Sequence, residues 1–78
     1  MDEKPAINAI IEMTALFTRR PPPDAPIEAV AAWYRAKGRM HEQLAARGGA
    51  DAAQESAYAA ASYAHARRLT GVDAGWVA

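Results

Sequence analysis

Residues 51–70 read DAAQESAYAAASYAHARRLT, with eight alanines and only Tyr58, Tyr63, His65 and Leu69 as bulky non-cationic side chains. Alanine loses no side-chain entropy on entering a helix, so the segment predicts one. An isolated helix of this length is marginal in water, and this one has little apolar surface to bury. It requires a bulkier mate packed close against it.

The mate lies immediately upstream. Residues 25–47 carry the largest side chains, and at about 100° per residue Ile27, Val30, Trp33, Tyr34, Met40 and Leu44 fall on one face. Glu28, Arg35, Arg39 and Glu42 fall on the other. Asp24 is the expected N-cap, with Pro26 and Ile27 in the first turn, and Gly48-Gly49 is the expected stop. Lys37 and His41 interrupt the apolar stripe. Gly38 costs about 1 kcal/mol relative to alanine in a helix interior and marks a kink or a close backbone approach. Asp51 with Gln54 resembles a capping box opening the third helix. So short a connection makes helices two and three an antiparallel hairpin. On helix three, Tyr58, Ser62, His65 and Leu69 share a face flanked by Ala57, Ala61 and Ala64, and alanines at 53, 57, 60 and 64 are the expected points of close helix contact. Gly71 ends the helix.

Toward the N-terminus, residues 5–20 predict the first helix. Ile7, Ile10, Ile11, Met13, Thr14 and Phe17 form a broad apolar face, opposite Asn8, Glu12, Ala15 and Arg19. Leu16 departs from the pattern and is expected in solvent or against a neighbour. Pro21-Pro22-Pro23 ends this helix, because residues before proline are driven from the α region, and makes residues 21–24 a stiff joint. A proline-rich ligand is the sharper alternative for this tract. Residues 1–4 and 71–78 are expected as tails, the second carrying Trp76 and Val77. The fold expectation is therefore a single all-α domain over residues 1–78, a three-helix bundle.

Composition bounds the function. The 78 residues hold no cysteine, which excludes disulfides, thiolate metal sites and a cysteine nucleophile. Of the apolar residues 21 are alanine, leaving a thin set of large ones. So small a core rarely supplies more than about 3–5 kcal/mol, so burial against a second copy or another protein is expected to add to it. No run approaches the roughly 20 apolar residues of a membrane span, and the acidic start MDEK does not resemble a secretory leader. The expected location is the cytoplasm. Zero formal charge argues against nucleic-acid binding by bulk electrostatics, and the alanine and arginine load fits a GC-rich bacterial genome.

Candidate site residues form two groups. Trp33 and Tyr34 are adjacent, so both cannot point into the same core; one is expected to border a partner surface. Lys37, His41 and Trp76 join them as expected partner contacts, and a homodimer through the Trp33/Tyr34 face and the alanine surface is the expected assembly. In an up-down-up path Arg19-Arg20 and Arg67-Arg68 gather at one pole, where they could bind an anion or an acidic partner or simply complement helix dipoles. No cofactor or metal is expected, since no HxxxH or HxxE set occurs. The sequence gives no sign of a pocket for the Lys37, His41, Tyr58 and Tyr63 cluster. A helix-turn-helix fits poorly, because the helix after the turn opens on Asp51 and Glu55. A non-enzymatic protein-interaction or regulatory module is the expected function. The rivals are a nucleic-acid-associated regulator using the four arginines, and a small enzyme or metal protein.

Overall fold

Residues 3–71 are described by the computed structural model, with side chains from residue 10 onward. They form α1 (Glu3–Thr18), α2 (Ile27–Ala46) and α3 (Ala52–Thr70), an all-α arrangement built on a long α2–α3 hairpin. Pairings of His41 with Glu55 and of Tyr34 with His65 run the two helices antiparallel. The turn between them uses Gly48 at φ 79° and Gly49 at φ 93°, left-handed conformations that side chains disfavour. α3 closes on Gly71, as its sequence leads one to expect.

Two expected caps are absent. Asp24 does not cap α2: the N-cap position is Pro26, and no side-chain bond closes it. Pro26 bars Ala25 from the α region, so the helix starts only beyond the proline. Asp51 does occupy the N-cap of α3, but at φ −94°, ψ 1° its side chain makes no capping bond. Gln54, the expected capping-box partner, instead donates from Nε2 to the Tyr58 hydroxyl at 2.6 Å.

α2 is the centre. On one side Trp33, Ala36 and Met40 receive α1, with Leu16, Trp33 and Met40 as the buried cluster and Met13, Tyr34 and Ala36 packed around it. On the other side α3 packs, with Ala31 and Gly38 buried on α2 and a seam of Ala59, Ser62 and Ala66 buried on α3. The phase of α3 thus differs from the one expected. Ala53, Ala57, Ala60 and Ala61 are exposed, and the close approach runs through Ala59 and Ala66.

Gly38 marks that approach, not a kink. A Cβ there would stand 2.8 Å from Cε1 and Cζ of the Tyr63 ring. Gly38→Ala should therefore lose its propensity gain by displacing the ring, leaving stability unchanged or lower. In a Tyr63→Ala background the same change should stabilise by roughly 0.5–1 kcal/mol. Urea unfolding of the four variants reads the sign reversal, and equal effects in both backgrounds would refute the contact.

The largest departure is α1. Leu16, expected in solvent or against a neighbour, is 6% exposed against α2, whereas Ile10, Ile11 and Phe17 from the expected core face are 62%, 59% and 55% exposed. The helix docks by its Met13–Leu16 edge, and its broad apolar face turns outward. The side chain of Ile7 lies outside the described residues. The cause is the indole of Trp33, whose Nε1 donates to the Leu16 carbonyl at 2.8 Å. The amide of Arg20 bonds Phe17 instead, so the Leu16 carbonyl is one of the orphan acceptors at a helix end, and Trp33 fixes which edge faces α2.

Among the described residues α1 and α3 make no backbone approach to each other, each touching only α2. The three helices form a single layer with α2 between the others.

Candidate interaction surface

At the end of the molecule where α1 and α3 finish, a row of stacked groups crosses all three helices. The Arg20 guanidinium lies 5.4 Å from the Trp33 ring centroid. Trp33 meets Tyr34 edge-on at 5.1 Å and 89°, Tyr34 meets the His65 ring at 4.3 Å, and Arg68 Nη2 is 3.3 Å from His65 Nδ1. The consecutive aromatics therefore divide between neighbours. Trp33 turns to α1 and is buried, while Tyr34 turns to α3 and is half-buried. Arg20 and Arg68, expected together at one pole, cap the two ends of this row. Beside it Arg20, Pro21, Pro22, Pro23, Val30, Trp33 and Tyr34 line a groove of about 190 Å³. Arg19 sits by a cleft with Glu12, Leu16, Ala36 and Arg39. Arg67 is exposed on the last turn of α3. Trp76 lies outside the described residues.

A second cluster occupies the middle of the hairpin. Lys37 Nζ is 3.3 Å from His41 Nε2, and His41 Nδ1 is 2.6 Å from Glu55 Oε1. A carboxylate only accepts, so Nδ1 holds the proton and donates; in the neutral ring Nε2 then accepts from the ammonium. The Tyr58 ring stands 5.2 Å from His41. Glu55 had no signal in the sequence, because its pairing joins two helices at a separation that only the hairpin register creates. Across the hairpin, Tyr63 donates to Glu42 at 2.9 Å. Partial burial, then the bond to Glu42 and the carboxylate charge, raise the Tyr63 hydroxyl above its ordinary pKa, against a smaller lowering by Arg39. Among the described residues no three His, Asp or Glu side chains gather as a metal site.

This cluster forms one wall of a groove that the sequence did not announce. Met13 and Phe17 from α1, Lys37, Met40, His41 and Leu44 from α2, and Glu55 and Tyr58 from α3 enclose about 270 Å³. The gap follows from the layer: α1 and α3 stand apart, leaving α2 as the floor. Its charged groups are linked through His41, so the remaining lining is methionine, leucine and aromatic carbon.

Along the groove's rim runs the outward face of α1. Ile10, Ile11 and Phe17 share it with Thr14 and Thr18. Thr14 Oγ1 donates to the Ile10 carbonyl at 3.0 Å and Thr18 Oγ1 to the Thr14 carbonyl at 2.8 Å. Both hydroxyls are turned into their own helix, which leaves the methyl groups outward. Glu12 and Arg19 project from the opposite side at helical spacing. The face is thus uncharged across its described length.

Among the described residues no helix is long and apolar enough to cross a membrane. No protein-family model, curated protein or solved structure matches the chain.

Proposed function

We propose that the protein is a non-enzymatic interaction module, acting in regulation or assembly, that docks a protein along the outward face of α1 and the adjoining groove. The observation that carries this reading is the exposure of Ile10, Ile11 and Phe17 together on one face, next to threonines whose hydroxyls are internally bonded. Single exposed apolar residues are ordinary; a contiguous apolar patch marks a place for another surface. Each such side chain contributes roughly 1.5–3 kcal/mol when fully buried, which α1 does not gain on α2. Compared with Trp33, which is packed inside, Phe17 is the aromatic available to a partner. Tyr34, Lys37 and His41 contribute at the margins. The proposal includes a cytoplasmic location, in keeping with a composition free of cysteine.

A photoreactive phenylalanine analogue in place of Phe17, in the cells that make the protein, tests this. Irradiation should give discrete adducts from that position and none from the same analogue replacing Gln43, which is exposed on α2. Absence of adducts at both positions would contradict the reading.

A further inference from the structure

We infer that Lys37, His41 and Glu55 form a proton-operated clasp on the wall of the central groove. A neutral His41 ring holds Lys37 against that wall. Protonation of the ring frees the Lys37 ammonium into solvent, while Glu55 keeps the ring in place. This is a property of the folded chain itself and goes beyond the interaction reading.

The hydrogen-bond roles in the cluster are fixed by chemistry. A carboxylate only accepts, and Glu55 Oε1 lies 2.6 Å from His41 Nδ1, so Nδ1 bears a hydrogen. An ammonium only donates, and Lys37 Nζ lies 3.3 Å from Nε2, so Nε2 presents its lone pair. One ring nitrogen protonated and the other bare is a neutral imidazole, and the bond to Lys37 exists only in that state. A proton added at Nε2 removes the acceptor and sets a second cation at hydrogen-bond distance from the first. The two cations are not equally free to move. The His41 side chain is 12% exposed and bonded to Glu55 across the hairpin, with the Tyr58 ring 5.2 Å away. A charged ring binds the carboxylate more strongly than a neutral one. Lys37 is half-buried on a flexible four-carbon stem, so Lys37 moves.

The surroundings of the ring add no competing charge among the described residues. From α3 the other titratable group is Tyr58, whose hydroxyl accepts from Gln54. From α1 come Met13 and Phe17. Arg47 and Asp51 lie beyond Glu55, where they line a separate cleft at the turn. Because Lys37 lines the groove, its release withdraws an aliphatic stem from the wall. The groove thus differs in shape between the two protonation states of one ring.

Nuclear magnetic resonance of the isotopically labelled full chain, from about pH 8 to about pH 5, spans the range in which imidazole changes charge. The neutral His41 ring should carry its hydrogen on Nδ1, read from the ring nitrogen shifts. Overhauser transfer between the Lys37 ε-methylene and the His41 ring protons should be present there. It should be lost with the same midpoint as His41 protonation. In His41→Gln, which keeps an acceptor but does not titrate, the Lys37 signals should be independent of pH over this range. His41→Arg carries the charge at every pH, so Lys37 should show its released signals already at about pH 8; this arm stands even where acid unfolds the chain. A neutral ring with its hydrogen on Nε2, a Lys37 contact that survives His41 protonation, or Lys37 signals in His41→Arg that match those of the neutral parent would overturn the inference.

Discussion

Trp33→Ala is expected to cost about 3–5 kcal/mol, the largest loss from any single truncation among the described residues. Trp33 is 8% exposed and shares its cluster with Leu16 and Met40, so its removal takes away most of the surface that holds α1 on α2. The indole N–H is also the partner of the Leu16 carbonyl. Trp33→Phe separates the two contributions, because it retains an aromatic ring and loses the donor; its cost should be nearer 1–3 kcal/mol. The α2–α3 hairpin holds itself through other residues, so the Trp33→Ala chain should lose the helicity of α1 first and the hairpin later. Urea unfolding followed by far-ultraviolet circular dichroism reads both. A shift below 1 kcal/mol for Trp33→Ala would show that α1 is held by something else.

The second large effect lies on the opposite side of α2. Ala59 and Ala66 are buried on α3, with Ala31 and Gly38 buried on α2. Leucine at either position adds three carbons at a site that is 2% exposed (Ala59) or fully buried (Ala66). Each substitution should destabilise by about 1–3 kcal/mol through forced rotamers and helix separation. Ala57→Leu and Ala61→Leu point to solvent and should stay within about 0.5 kcal/mol of the parent. Thermal melts of the four variants decide the phase of α3. If Ala57→Leu and Ala61→Leu were the damaging pair, the helix would be rotated from the orientation described.

That rotation shows where the sequence is legible and where it is not. The three helices, their order and the glycine stops follow from alanine propensity, the triple proline and Gly48-Gly49, because these are local effects acting within a few residues. Cap choice is local too, but Asp24 loses to Pro26, whose steric bar on Ala25 outweighs a carboxylate two positions earlier. The phase of α3 is not local. Alanine occupies nearly every side of the helix, so periodicity hardly distinguishes Ala57 from Ala59. Cross-helix contacts decide instead: Tyr63 over Gly38, His65 against Tyr34, Glu55 on His41. Of these only the glycine announced itself.

α1 is the reverse case. Its amphipathic face is plain in the spacing of Ile7, Ile10, Ile11, Thr14 and Phe17, but spacing identifies an apolar face without identifying what covers it. One indole hydrogen bond commits the helix to α2 by its Leu16 edge, and the face is left outward. The candidate site divides likewise. Lys37 and His41 were visible as polar interruptions of an apolar stripe, and Tyr34 as the neighbour of Trp33 that could not share its core. Phe17 and Met13 were visible only as core, and the groove between α1 and α3 depends on a single-layer arrangement that short connections do not dictate.

The central claim is that α1 docks on α2 by its Leu16 edge and leaves Ile10, Ile11 and Phe17 outward. Nuclear Overhauser spectra of the isotopically labelled full chain address it at the contact itself. The account predicts transfer from the Trp33 ring to the Leu16 methyl groups and none to the methyl groups of Ile10 or Ile11. Transfer from the Trp33 ring to Ile10 or Ile11 in place of Leu16 would contradict it.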